Sequence, residues 1–377
     1  MKSLVLISGL PLGGAETVTA AFLCRLAAQG RPVPLCTVTA RHDGPLVARL
    51  GDAGVPRFDL GARRLADPSA LRRLIRLLHR ERVGLVHAHG QDASILAATA
   101  RRLDGFRLVI TRHVVDEPAD DWRQRLRVRA ALHAIRRSDA PVAVSRAAAR
   151  RLAELVPATE GRIRVVTNGI DLALYDRPEL REARDGIRFS LGLEPDEPVF
   201  LVPAVLRPGK GHYVLLDAIP RIRARVPRAC ILLAGDGELE HDLRARAAVL
   251  GQAVRFLGRR DDMPALLAAS DLVVLPSLAE ALPTVLMEAA AAERPVVATR
   301  TGGTAEVVED GVTGLLVPPG DPVQLADAVA SLLTDVRRAR AMGDAGRRKA
   351  TESFGLDTQI ERTLELWEEV GTGGAAP

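Results

Sequence analysis

Aromatic residues make up only 3% of this 377-residue chain. That scarcity argues against a stacking platform for single-stranded nucleic acid, and no nucleic-acid partner is expected. Cysteine is rarer still: Cys24, Cys36 and Cys230 are odd in number and share no metal-ligand spacing. They imply neither a disulfide framework nor a zinc site, fit a reducing compartment, and read most simply as small buried apolar residues. The chain has no Asp-x-Asp triplet and no His/Cys/carboxylate cluster at metal-binding intervals, so neither a metal nor a resident cofactor is expected. A Gly-x-Ser-x-Gly elbow, a Cys/His nucleophile pair and the Gly-x-Gly-x-x-Gly dinucleotide fingerprint are missing too. Lysine is limited to Lys2, Lys210 and Lys349 among 52 basic residues.

Membrane-spanning and secretory segments are excluded on similar grounds. The apolar stretch 272–292 contains Pro276, Pro283, Glu280 and Glu288. Each acidic residue would cost about 2.5–3.5 kcal/mol in mid-bilayer. Residues 1–15 lack the charged region and cleavage site of a signal peptide and read better as a first strand entering a glycine turn. A soluble, cytoplasmic protein is expected, with peripheral contact on the inner face of the membrane as an option.

What is present is an ordinary globular composition, 47% hydrophobic and 26% charged, at a length that suits two domains. The net charge of +5 hides an asymmetry. Residues 1–190 hold 32 Lys+Arg against 20 Asp+Glu, whereas residues 191–377 hold 20 against 27. A basic first half points to an anionic partner, either a membrane surface or a phosphorylated acceptor. Its densest part is 122–137, with Arg123, Arg125, Arg127, Arg129, Arg136 and Arg137, while Trp122, Leu126, Leu132 and Ile135 offer an apolar side. Those arginines do not share one helical face, so attraction by field rather than insertion is expected.

Short apolar runs alternate with segments of helical period, the pattern of β-α-β units around parallel sheets. Strands are expected over 3–8, 34–38, 83–87, 107–110, 140–144 and 163–167, then over 199–205, 229–233, 254–256, 272–275, 296–298 and 314–317. The Pro-rich, acidic segment 191–198 and the change of charge sign put a domain boundary near 190. The expected organisation is 1–190, 191–353, a closing helix over 354–370 and a disordered tail over 371–377.

Three loops carry candidate chemistry. Gly9–Glu16, with Gly13 and Gly14, joins the first strand to the first helix, where free NH groups can meet an anion or a sugar hydroxyl. Arg207-Pro-Gly-Lys210-Gly211 lacks P-loop spacing, yet a lysine in a glycine turn after a strand can meet phosphate as a point charge. Most informative is Pro276–Ala290, in which Glu280 and Glu288 bracket a helix start near Pro283 or Thr284. The NH groups around Leu282–Leu286 would seat a phosphate, and each carboxylate can take sugar hydroxyls in pairs. His113, like His87 and His89, stands at the carboxyl end of a strand, where open α/β sheets bind ligands.

Taken in order, Gly13-Gly14-Ala-Glu16, Thr111-Arg-His113, Val144-Ser145, Asn168-Gly-Ile-Asp171, Lys210-Gly211, Gly235-Asp-Gly237, Phe256-Leu-Gly258, Pro276-Ser277, the Glu280/Glu288 pair, Arg294–Ala298, Gly302-Gly303 and Glu306-Val resemble glycosyltransferase family 4. The resemblance covers most of the chain. It implies the GT-B fold, two Rossmann-like α/β domains facing a cleft, with the closing helix crossing back to the first. It also implies a retaining glycosyltransferase acting on a nucleotide diphosphate sugar and a hydroxyl acceptor, lipid-linked or phosphorylated, in envelope glycan, glycolipid or polysaccharide synthesis. A non-catalytic carbohydrate binder and a sugar-nucleotide epimerase of the same fold are the alternatives. By the resemblance, Lys210 and the NH groups around Leu282, Pro283, Thr284 and Val285 hold the diphosphate, Glu288 the ribose and Glu280 the transferred sugar. His113 approaches that sugar, Gly14 leaves room for the diphosphate, and the backbone near Arg259 lines the base. Glu16, His89 and Ser145 fall on the acceptor side. The family's phosphate-binding arginine is missing, its place taken by Ala204-Val205-Leu206, with Arg207 the nearest substitute; Ala281 and Glu293 replace customary glycines.

Overall fold

In the computed structural model, which describes residues 1–10, 13–39, 44–62, 67–114 and 121–373, the apolar runs become two all-parallel sheets. The first contains β1 (Ser3–Ile7), β2 (Leu35–Thr37), β3 (Arg57–Asp59), β4 (Leu85–His89), β5 (Arg107–Arg112), β6 (Ala140–Ala143) and β7 (Arg164–Val165), in the order β3-β2-β1-β4-β5-β6-β7. The second contains β8 (Val199–Pro203), β9 (Cys230–Ala234), β10 (Val254–Gly258), β11 (Leu272–Leu275), β12 (Val296–Thr299) and β13 (Gly314–Val317), in the order β10-β9-β8-β11-β12-β13. Both orders are doubly wound, and each reverses direction once, between β1 and β4 and between β8 and β11. Ligands of such sheets bind outside the carboxyl ends of the strands at that reversal.

Continuous apolar runs suit these strands because helices cover both faces. Along β1 the alternation sends Leu4 and Leu6 into one core with Leu74, Leu96 and Leu108. Val5 and Ile7 enter the other with Leu23, Leu26, Ile360 and Trp367. In the second sheet Phe200, Val202, Ile231 and Val274 pack with Leu215, Ile219 and Leu325.

The chain divides into two compact units, Met1–Gly169 with the segment from Leu356 onward, and Ile170–Gly355. The boundary therefore lies about twenty residues before the expected position at 190. Arg188 supplies the physical reason. It is 1% exposed. Its guanidinium donates to Ala269 O at 2.8 Å and Glu194 O at 2.8 Å, and also to Glu197 O, with Asp271 at 4.0 Å. Arg184 adds an ion pair to Asp271 at 2.6 Å. These bonds tie the helix Arg184–Ser190 to the second unit across the Pro-rich segment. The closing helix, Leu356–Gly371, belongs to the first unit, where Trp367 is buried and Arg25 clasps Asp357 at 2.9 Å. Residues 374–377 of the expected tail lie outside the described residues, and Gly371 is the last residue of that helix.

Three further differences have local causes. Strand β3 was not anticipated because Arg-Phe-Asp contains no apolar run. Strand β4 runs two residues further than expected, which carries His89 into the strand. Glu293, where glycine is customary, takes a left-handed φ of 59°, whereas Ala281 does not, so the alanine is accommodated without strain. The apolar side expected on the helix Trp122–Arg136 is split: Ile135 is buried, while Trp122 and Leu126 are 67% and 60% exposed.

Candidate functional site

At the reversal of the second sheet, the loops following β8 and β11 meet by backbone. Gly211, with φ of 71°, comes so close to Pro276 that a Cβ would lie 1.9 Å from its carbonyl oxygen, so no side chain fits. Gly235, after β9, approaches Ala204 O equally closely. Leu278 N donates to Gly209 O at 2.8 Å, and Gly303 N to Glu280 O at 3.3 Å. This scaffold brings Lys210 Nζ to 2.6 Å from Glu280 Oε1, both side chains mostly buried.

The helix starts at Thr284, with Pro283 as its N-cap and no side-chain cap. Leu286 N bonds to Pro283 O at 3.1 Å, which leaves Thr284 and Val285 as the first amides beyond the reach of intrahelical acceptors. The helix start is the positive end of the macrodipole. Ala281, Leu282 and Pro283 are buried beneath it. One turn further, Glu288 has its carboxyl pushed up to about 7 by burial, opposed by a hydrogen bond from Tyr175. Tyr175 was not anticipated: it lies in an irregular stretch more than a hundred residues away, with no signal linking it to Glu288. His212, directly after Gly211, is buried with both ring nitrogens unpartnered and is pushed down to about 4 by burial and by Lys210. Arg207 is exposed, and Arg259 pairs with Asp236 at 3.0 Å.

The reversal of the first sheet opens a cavity of about 170 Å³ lined by Glu16, His89, Gln91, Arg112 and His113 among others. Glu16 stands in the first turn of the helix Gly14–Ala28, its carboxyl raised above the usual range by burial. A Cβ on Gly13 would come within 2.5 Å of that carboxylate, whereas one on Gly14 would meet nothing within 4 Å. His89 Nδ1 lies 2.8 Å from His113 Nε2. Burial pushes His113 down to about 4 and holds His89 well below its ordinary value, with His87 and His113 adding to the latter shift. Both rings are neutral near pH 7. Ser145 is placed elsewhere: fully buried, its Oγ accepts from Ala148 N at 3.0 Å and caps the helix Arg146–Leu155.

The arrangement in the second unit, a cation, two carboxylates and a helix start, matches the chemistry of a nucleoside diphosphate carrying diols. Residues 12–174 match the description Glycosyltransferase Family 4, and residues 197–335 match Glycosyl transferases group 1. The chain is 31% identical, over 80% of its length and 81% of the relative's, to a GDP-mannose-dependent alpha-(1-6)-phosphatidylinositol monomannoside mannosyltransferase of Mycolicibacterium smegmatis. It is also 31% identical to a D-inositol 3-phosphate glycosyltransferase of Salinispora tropica, over 76% of this chain and 64% of that one. Among solved structures, HepE of Anabaena in complex with UDP-glucose superposes with a TM-score of 0.86 at 26% identity, covering 98% of this chain and 100% of that chain. Sucrose-phosphate synthase of Thermosynechococcus elongatus shares the fold, with a TM-score of 0.81 at 23% identity over 99% of this chain and all of that one. Two doubly wound parallel sheets and these likenesses together establish that the chain belongs to glycosyltransferase family 4 and has the GT-B fold.

Proposed function

We propose that this glycosyltransferase moves a sugar from a nucleoside diphosphate sugar to a hydroxyl of a lipid-linked or phosphorylated acceptor, with retention and without a metal. The observation that carries the reading is the Lys210–Glu280 pair beside the Thr284–Ala291 helix start and Glu288. Lys210 and the amides of Thr284 and Val285 take the diphosphate, with Leu282 and Pro283 shaping the approach; Glu288 takes the ribose diol and Glu280 the sugar hydroxyls. Arg207 is exposed, without a partner among the described residues, and is free to turn to phosphate. The base lies along the backbone at Arg259. In the first unit Gly14 leaves room for the diphosphate, His113 contacts the transferred sugar, and Glu16 faces the acceptor.

Retention needs no protein nucleophile in this reading. The acceptor hydroxyl attacks from the face that the diphosphate leaves, and the departing phosphate oxygen takes its proton. The protein supplies orientation and stabilises the growing charge on the leaving group. The mannosyltransferase and inositol phosphate relatives favour a polyol acceptor bearing phosphate. Among the described residues no helix is long and apolar enough to cross a membrane. In this reading contact with a lipid-linked acceptor is peripheral, at the inner face of the cytoplasmic membrane. Exposed Trp122 and Leu126, one helical turn apart among exposed Arg123, Arg125 and Arg129, suit an anionic surface.

The test is direct. GDP-mannose and UDP-glucose are offered with phosphatidylinositol or inositol phosphate acceptors, and the product anomer is read by proton NMR. An inverted product refutes retention, activity abolished by chelator and restored by manganese refutes metal independence, and donor conversion without acceptor points to an epimerase.

A further inference from the structure

Three histidines at the ends of β4 and β5 connect the closing helix to the cavity of the first unit. Trp367 Nε1 donates to His87 Nδ1 at 3.1 Å. An indole nitrogen only donates, so Nδ1 carries no proton, and in a neutral ring Nε2 must carry it. That proton goes to Thr111 Oγ1 at 2.7 Å. The His87 tautomer is thereby determined, and burial holds the ring neutral, at about 3. His87 packs on His89 with ring centroids 4.3 Å apart, and His89 stacks on His113 at 5.1 Å.

His89 Nδ1 and His113 Nε2, 2.8 Å apart, hold one proton between two nitrogens. This contact occupies one ring nitrogen of His113. The other, Nδ1, is buried without a partner on a residue that lines the cavity. Leaving a buried polar atom unmatched is unfavourable, and such atoms gather where a ligand is awaited. A lone imidazole would relieve the mismatch by turning about its side-chain bonds, but the stack and the hydrogen bond with His89 oppose that turn.

We propose that His89 is a positioning residue: it holds the plane and the tautomer of His113, so that the remaining nitrogen of that ring meets the sugar already oriented. His89 then serves the donor sugar through His113 and is not itself an acceptor contact. The inference rests on the reading of His113 as a sugar contact.

Histidine-selective 15N labelling of the full chain separates the possibilities. In the wild type, His113 shows a single tautomer. In His89→Ala, its nitrogen resonances move to an exchange average, and kcat falls about 10- to 100-fold while the donor KM stays within about twofold. His89→Asn, whose amide can occupy the place of Nδ1, restores most of both, whereas His89→Gln, whose amide sits at the place of Nε2, does not. Where His89→Ala fails to fold, the Asn and Gln variants carry the comparison, and thermal stabilisation by GDP or UDP reports that the second unit is intact. Unmoved His113 resonances in His89→Ala, or equal behaviour of Asn and Gln, overturn the positioning role alone. Full activity of His113→Ala overturns the underlying reading and the inference with it.

Discussion

Lys210→Ala separates packing from chemistry. The ammonium sits 2.6 Å from Glu280, and the two side chains are 18% and 11% exposed. Deleting the lysine strands a mostly buried carboxylate. That loss costs about 1–3 kcal/mol of stability, above the roughly 0–1 kcal/mol typical of exposed pairs. Glu280→Gln on the same background removes the stranded charge, so most of the stability returns in the double variant. Turnover should not return with it. Charge grows on the diphosphate as the glycosidic bond breaks, and removing one preorganised donor costs about 2–4 kcal/mol, some 30- to 900-fold in kcat. By the family resemblance Val205 stands in place of a further cation, so in this reading Lys210 carries a large share. The assay is a four-protein cycle, wild type, each single variant and the double, measured by chemical denaturation and by initial rate. A double variant that turns over as fast as Glu280→Gln alone would show that Lys210 only neutralises Glu280, and the phosphate assignment would fall.

Glu288 predicts a pH dependence. A carboxyl raised to about 7 in the fold binds a proton that the unfolded chain releases near 4.5, so its contribution to stability is present below about pH 4.5 and lost as pH rises through 7. Because the ribose diol needs an acceptor, nucleotide affinity should rise over pH 6–8, and Glu288→Gln should flatten that rise in calorimetric titrations. Arg188→Ala should destabilise the second unit by about 3–5 kcal/mol, because several carbonyls and Asp271 lose a buried cation; a change below 1 kcal/mol on denaturation would contradict the anchoring role. Vesicle sedimentation should show binding to anionic but not neutral lipid, fading as salt rises. Replacing Arg123, Arg125 and Arg129 by Gln should remove about 3 kcal/mol of that attraction, and equal partitioning to neutral vesicles would refute it.

The fold was legible because parallel strands buried on both faces must be continuous apolar runs, and eleven of the thirteen observed strands lie in or within two residues of the expected ranges with an apolar or β-branched majority. What escaped had no such signature. Arg-Phe-Asp of β3 is partly buried at every position, and β4 extends two residues past His87, so that His89, which read as following the strand, is paired by the sheet with Thr111. The unit boundary was hidden because a Pro-rich, acidic segment looks like a linker, while the buried Arg188 that crosses it looks like one more surface arginine. At the site, residues joined through a short loop were visible: Lys210 with Gly211, Glu280 with Glu288. Partners joined only by tertiary folding were not, as with Tyr175 and Glu288 or Trp367 and His87, 280 residues apart.

The charge asymmetry was legible in amount but not in place. An excess of arginine in the first half invites the idea of a basic pocket for a phosphorylated acceptor, yet the cavity there is lined by neutral imidazoles, a carboxyl raised by burial, and one arginine, Arg112, whose Nε is turned to Val114 O at 3.1 Å. Four exposed arginines, Arg123, Arg125, Arg129 and Arg136, lie along the Trp122–Arg136 helix, and others, such as Arg72, Arg76 and Arg102, are spread over the rest of the first unit. In the acidic second half, the proposed phosphate contact is a single lysine, Lys210, paired with Glu280. In the proposed reading, bulk charge governs which surface the protein approaches, while the reacting centre depends on a few partly or fully buried groups. For that reason the two effects should separate experimentally: neutralising the helix arginines should alter transfer to a membrane-borne acceptor and leave transfer to a soluble acceptor of the same head group unchanged. A parallel loss on both acceptors would place those arginines at the reacting centre and overturn this division.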